Sequence, residues 1–240
     1  MNSVILAALA IGGSTLLGTG CGFLLGKVSD EMNLGSVAFA AGVMLSAAAF
    51  GLFVPAMEMA GGGLWLLVVL GAVCGVLFLK GIALLSRKIG SGGALSAHPE
   101  LMFVIAIAVH KFPEGMAGGV GIPGVNGGAS WLVAAGIALQ NLPEGAVMIP
   151  PMIAAGVKKR CAAAVALITG LLNAAGVFAG ALWGSLSGGV LPFALSFAGG
   201  AMLDVIVSQM IPQISSENYR RGNYILMAGF LQMTVVNMLF

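Results

Sequence analysis

The chain has 240 residues, 59% of them hydrophobic, while Asp, Glu, Lys and Arg together make up only 8%. Soluble domains carry about a quarter charged residues, so this composition cannot cover a water-exposed surface and excludes a soluble enzyme or a nucleic-acid binder. A net charge of +2 is too small to point to an anionic partner, and in a membrane protein the placement of charges matters more than their sum. The 38 glycines lie inside apolar runs with no three-residue period, which fits close helix packing rather than disorder or collagen.

A helix needs about 20 largely apolar residues to cross a bilayer. Eight such runs are predicted, at residues 4–26, 35–57, 63–85, 101–119, 131–150, 162–185, 190–211 and 224–240. The loops between them are short and rich in Gly, Ser and Pro, so residues 1–240 read as a single all-α transmembrane domain. The first run has no Lys or Arg before it, unlike a signal peptide, and reads as a retained spanning helix. Cys21, Cys74 and Cys161 form no C-x-x-C pair and read as small apolar residues.

Basic residues set the orientation. Lys27 follows the first span, Arg87 and Lys88 the third, Lys158, Lys159 and Arg160 the fifth, and Arg220 and Arg221 the seventh. All of these fall in loops on one side, which predicts that side to be cytoplasmic and both termini to be outside. Lys80 and Lys111 lie within spans, and Lys80 reads as a side chain reaching toward the cytoplasmic face. Asp30, Glu31, Glu100 and Glu217 read as loop charges, and Glu58 as a solvated residue at the outer end of the second span.

Internal repeats accompany this layout. The fourth span carries His110-Lys111-Phe112-Pro113-Glu114-Gly115 and the fifth carries Gln140-Asn141-Leu142-Pro143-Glu144-Gly145. The second carries Phe39-Ala40-Ala41-Gly42-Val43-Met44-Leu45, and the seventh carries Phe197-Ala198-Gly199-Gly200-Ala201-Met202-Leu203. Glycines at four-residue spacing recur in the first span (Gly18, Gly22, Gly26) and the sixth (Gly176, Gly180, Gly184), where small residues let helices approach closely. Each pair runs in opposite directions, which predicts a 3+2+3 inverted-repeat arrangement of the kind found in secondary transporters.

Intramembrane ionisable groups mark a site by default. His110 with Glu114, and Gln140 with Glu144, stand at i and i+4 on one helix face. Pro113 and Pro143 remove helical hydrogen bonds beside them, and a freed carbonyl is tolerated there only where protein or water satisfies it. One imidazole, two carboxylates and an amide form a mixed N/O set suited to Zn²⁺ or another first-row divalent ion. The bland alternative is a set of packing residues that satisfy one another. A zinc hydrolase is disfavoured because H-E-x-x-H is absent.

The paired P-E-G motifs on adjacent spans, together with the eight-helix layout, resemble the ZIP (Zrt/Irt-like protein) metal transporters. The Gln140-Asn141 opening, the run Ala41 to Leu45 followed by Pro55-Ala56-Met57-Glu58, and Ile211-Pro212 are similar to the bacterial GufA-like branch. The resemblance implies uptake of Zn²⁺ or a related divalent ion across the plasma (inner) membrane into the cytoplasm. The metal would be the transported substrate, without a separate cofactor, and the eight-helix fold is often found as a homodimer. Carried over position by position, His110, Glu114, Gln140 and Glu144 would hold the metal, with Met44 and Asn141 as further candidate ligands.

The departures from the family pattern are informative. Lys111 stands where Asn usually helps hold a second metal, Asn173 where the sixth span usually supplies Glu, and Ser208 and Gln209 where an acid usually precedes Ile-Pro. The His-rich loop between the third and fourth spans is reduced to His98, which reads as a solvated loop residue. Three glutamates with two divalent ions leave one positive charge, and so do two glutamates with one lysine and one divalent ion. The Lys111 ammonium therefore reads as the replacement for a second ion, unless it snorkels out of the site. Asp204, one turn before Ser208, reads as a release-path acid or a locally hydrogen-bonded one. The main reading is a one-metal carrier working by alternating access, with one repeat bundle moving against the other. The alternatives are a transport-inactive metal-binding sensor or interaction protein, and a carrier of another cation.

Overall fold

The computed structural model describes residues 2–25, 29–90, 111–119, 122, 129–154, 156–184, 190–216 and 221–239. His98, His110, Glu100, Glu217, Lys27 and Arg220 lie outside the described residues. The described chain is helical. In order it runs through α1 (Asn2–Leu25), α2 (Asp30–Ser46), α3 (Trp65–Gly90), α4 (residues 111–119), α5 (Ala129–Ala154), α6 (Lys159–Gly184), α7 (Val190–Val205) and α8 (Gly222–Leu239). Beyond Ser46, α2 continues through a π-helical stretch, Ala47–Phe53, into Val54–Ala60. Beyond Val205, α7 continues likewise through Ile206–Met210 into Ile211–Ser216.

Among the described residues four helical runs are long and apolar enough to cross a membrane, namely Asn2–Leu24, Leu34–Ala60, Lys159–Leu182 and Val190–Ser215. Trp65–Gly81 and Gly222–Val236 are shorter apolar helices. Large apolar side chains such as Leu17, Leu24, Leu77 and Leu182 stand exposed along them. In lipid those side chains need no cover, because the surrounding tails are as apolar as they are. All three cysteines are free and exposed on the same helices.

Several helices extend past the apolar runs that signal them. Asp30 and Glu31 belong to the first turn of α2 rather than to a loop, because Ser29 caps that turn by accepting from the Met32 amide at 3.3 Å. An acid such as Glu31 there complements the positive end of the helix dipole. Helix α3 likewise runs on to Gly90, past the end of its apolar run. Lys159 and Arg160 open α6.

The two π-helical stretches have a common cause. Pro55 and Pro212 each stand at the second position after the stretch. Proline has no amide hydrogen and its ring clashes with the carbonyl four residues back. Widening the preceding turn relieves that clash, so the Val54 amide reaches back to the Ala49 carbonyl and the Ile211 amide to that of Ile206, five residues each.

Glycine contacts define who packs against whom. A β-carbon on Gly18 would overlap the Leu142 carbonyl, and one on Gly22 would meet that of Ala146, so α1 lies directly on the backbone of α5. Gly176 and Gly180 stand in the same way against the carbonyls of Phe112 and Met116, placing α6 on α4. Gly42 faces the Leu226 carbonyl and Gly229 that of Phe39, which joins α2 to α8. Gly75 against Phe197, and Gly200 against Ala72, join α3 to α7. Helices α1 and α6 also meet at Gly12 and Gly170. The close approaches therefore link α1, α4, α5 and α6 as one set, and α2 with α8 and α3 with α7 around it.

Candidate functional site

Helices α4 and α5 bring five polar side chains together in the interior. Lys111 and Glu114 lie one turn apart on α4. Gln140, Asn141 and Glu144 share a face of α5, as spacings of three and four residues require. All five are at most 2% exposed, in surroundings where each unpaired charge would cost several kcal/mol.

Lys111 is the hub of this cluster. It is directed inward, not toward a membrane face. Its Nζ donates to Glu114 Oε2 at 2.7 Å, to Glu144 Oε2 at 2.6 Å and to Asn141 Oδ1. An ammonium has three donors, and all three are used. The nitrogen thus bridges the two carboxylates of the matched P-E-G motifs. Asn141 is held from its other end, since Nδ2 donates to the Ile11 carbonyl at 3.1 Å, which anchors the cluster to α1. Gln140 Nε2 donates to Glu114 Oε1 at 2.7 Å.

That last bond leaves Gln140 Oε1 buried with no hydrogen-bond partner among the described residues. A buried acceptor without a donor is costly. Beside two carboxylates it is also the kind of oxygen that a hard or borderline divalent cation would satisfy. Glu114, Gln140, Glu144 and Asn141 are thus brought together with Lys111, whereas His110 lies outside the described residues. Among the described residues no group of three His, Cys, Asp or Glu side chains is assembled. Met44 is fully buried in the apolar core of α2, a helix that packs against α5.

Asp204 is not part of this cluster. Its Oδ1 accepts from Ser208 Oγ at 3.1 Å and faces Lys80 Nζ at 4.0 Å. Lys80 is well exposed and Asp204 nearly buried. The sequence places both residues inside spans without revealing that they meet, because α3 and α7 are far apart in the chain. Two further polar pairs were hidden for the same reason. Asn173 Nδ2 donates to Thr15 Oγ1 at 3.3 Å, with Asn173 Oδ1 lacking a hydrogen-bond partner among the described residues, and the hydroxyls of Ser46 and Thr234 share a hydrogen bond at 2.9 Å. Glu58 is exposed at its end of the helix.

Apolar helices long enough to cross a bilayer, with a buried charged cluster between two of the helices, define a helical membrane protein with a polar site in its interior. The family of ZIP zinc transporters matches residues 87–237. The chain is 34% identical over 253 aligned positions to the zinc transporter GufA of Myxococcus xanthus, covering 99% of each protein. It is 31% identical to the zinc transporter ZIPB of Bordetella bronchiseptica, covering 95% of this chain and 76% of that one. The chain belongs to the ZIP zinc transporter family. Proteins of this family are multi-pass membrane transporters rather than enzymes, and the metal is their substrate, not a cofactor.

Proposed function

We propose that this chain carries Zn²⁺ or a related divalent transition-metal ion across the cell membrane into the cytoplasm, through one ion site between α4 and α5. The observation that carries the reading is the Lys111 ammonium bridging Glu114 and Glu144, with Gln140 Oε1 left as an unsatisfied acceptor beside them. Lys111 takes the place of a second ion, and Glu114, Glu144, Gln140 and His110 hold the transported one. Asn141 holds Lys111 rather than the metal, and Met44 is a candidate soft ligand from α2.

A 3+2+3 inverted repeat of eight spans within one domain is part of the same reading. Its support is the way the glycine contacts repeat. Gly18 and Gly22 on α1 stand to Leu142 and Ala146 as Gly176 and Gly180 on α6 stand to Phe112 and Met116. Those four partners occupy matched places around the two P-E-G motifs. Gly229 and Gly75 likewise abut Phe39 and Phe197, the opening residues of the second repeated segment. For orientation, the support is the basic residues together with the exposed pair of Arg221 and Glu31 at 3.6 Å, which brings two of the cytoplasmic-side ends together.

In alternating access, the closely packed sets, rather than either repeat as a whole as expected from the sequence, are the natural moving units. The set of α1, α4, α5 and α6 draws helices from both repeats, and the cluster lies entirely within it. It would move against α2, α3, α7 and α8, with Asp204 and Lys80 on the stationary side of the release path. The test is uptake of Zn²⁺ by proteoliposomes containing the purified chain. Saturable accumulation is the expected result, and tight binding without accumulation would make the chain a metal-binding sensor instead.

A further inference from the structure

A carrier that takes up metal without exchanging it must return empty, and the empty state has its own charge problem. In this structure Glu114 and Glu144 are both buried, at 0% and 2% exposed. Two bare carboxylates in such a place would hold the site open to water, because an uncompensated buried charge is strongly unfavourable. The chain supplies a compensating cation of its own. Lys111 reaches both carboxylates, and its third donor is taken by Asn141, which is itself tied to the α1 backbone. An ammonium that engages both ligand carboxylates and is itself anchored to α1 is suited to holding them closed when no ion is bound.

We propose that Lys111 is a tethered counter-cation that lets the unloaded carrier close and return, so that net uptake needs no counter-transported ion. This role rests on the transport site proposed between α4 and α5. Lys111 is here a positioning residue and not a metal ligand. Its ammonium holds the two ligand carboxylates in a closed cluster while the metal is away. In the loaded state the metal supplies positive charge to the same carboxylates, so loaded return depends less on the lysine.

The two modes of transport separate the idea from a merely structural role. Net accumulation of Zn²⁺ into metal-free proteoliposomes requires empty return, whereas exchange of labelled for unlabelled Zn²⁺ in preloaded vesicles requires only loaded return. For Lys111→Met the expected result is that net accumulation falls at least about tenfold further than exchange, as befits the loss of one partner from a buried charge cluster. Lys111→Arg should restore part of the net accumulation. If the methionine variant does not insert, Lys111→Gln, which keeps hydrogen bonding without the charge, carries the same comparison. Equal losses in both modes, or no loss in either, would overturn the proposal. If the parent chain neither accumulates nor exchanges Zn²⁺, the transport reading itself fails, which is a different outcome.

Discussion

Asn173 and Thr15 hydrogen-bond to each other across α6 and α1, although 158 positions separate them in the chain. The same separation relates Gly18 to Gly176 and Gly42 to Gly200, which abut matched partners elsewhere in the bundle. In the proposed inverted repeat, Asn173 and Thr15 are thus counterparts of one another and meet at the axis relating the halves. Asn141 and Lys111, also matched positions, meet in the same way one layer further in. On that reading the polar interior would lie where the two proposed repeats meet.

Removing either carboxylate should abolish binding. Glu114→Ala or Glu144→Ala leaves Lys111 with one anionic partner, and breaking a buried pair in this way costs about 3–5 kcal/mol. We expect Zn²⁺ affinity measured by calorimetry to fall about a hundredfold or more, with the variant still inserted in the membrane. Parent-like binding by either variant would place the metal elsewhere.

The number of bound ions should depend on Lys111 and Asn173 together. A β-carbon at Gly115, next to Glu114, would lie 2.8 Å from Asn173 Oδ1, so position 173 is on the doorstep of the cluster. Lys111→Asn alone should admit a weak second ion. Combined with Asn173→Glu it should bind two, and the effects should be strongly non-additive because the groups share one site. Anomalous diffraction from metal-soaked crystals of each variant counts the ions; two ions in the unmodified chain would end the one-metal reading.

Asp204 and Lys80 should affect rate rather than affinity. The pair lies on α7 and α3, away from the Lys111 cluster. Asp204→Asn is expected to slow uptake by about tenfold, as for an acid lining an ion path, with equilibrium binding at the central site nearly intact. Lys80→Met should act in the same direction and add little to Asp204→Asn. Unchanged uptake in the asparagine variant would reduce the pair to a local contact.

Labelling tests the orientation. A cysteine placed at Asn2 should react with a membrane-impermeant maleimide from outside in a background lacking Cys21, Cys74 and Cys161, while one at Lys159 should react only after permeabilisation. The reverse pattern would falsify the inverted arrangement as oriented above.

Most of the helices and the convergence of the polar side chains of α4 and α5 were legible in the sequence, for reasons that differ. Spanning helices announce themselves because lipid demands long apolar runs. The Glu114 and Glu144 pairing followed from a repeated motif, which carries long-range information in local form. The helix ends were less legible. Asp30 and Glu31 look like loop charges by polarity alone, and only the Ser29 cap assigns them to α2. Contacts such as Lys80 with Asp204, or Ser46 with Thr234, join single polar residues on distant helices and leave no periodic trace. In the proposed inverted repeat, Ser46 and Asp204 would be counterparts and so, one helix on, would Lys80 and Thr234. On that reading one repeat closes the contact with an ion pair and the other with two hydroxyls.

The π-helical stretches change how any positional scan of α2 and α7 must be interpreted. Each stretch fits about one extra residue into a turn, so the segment beyond it is rotated by roughly 100° relative to an unbroken α-helix. A map of accessible faces drawn at 3.6-residue intervals from Met44 is in phase only as far as Ala47, and beyond Phe53 it assigns each residue to its neighbour's face. The same slip occurs in α7 after Met210. Deleting one residue within Ala47–Phe53 would remove the extra residue that the wide turn holds, so the α-helical ladder would be restored while Met57 and Glu58 stay on the faces they now occupy.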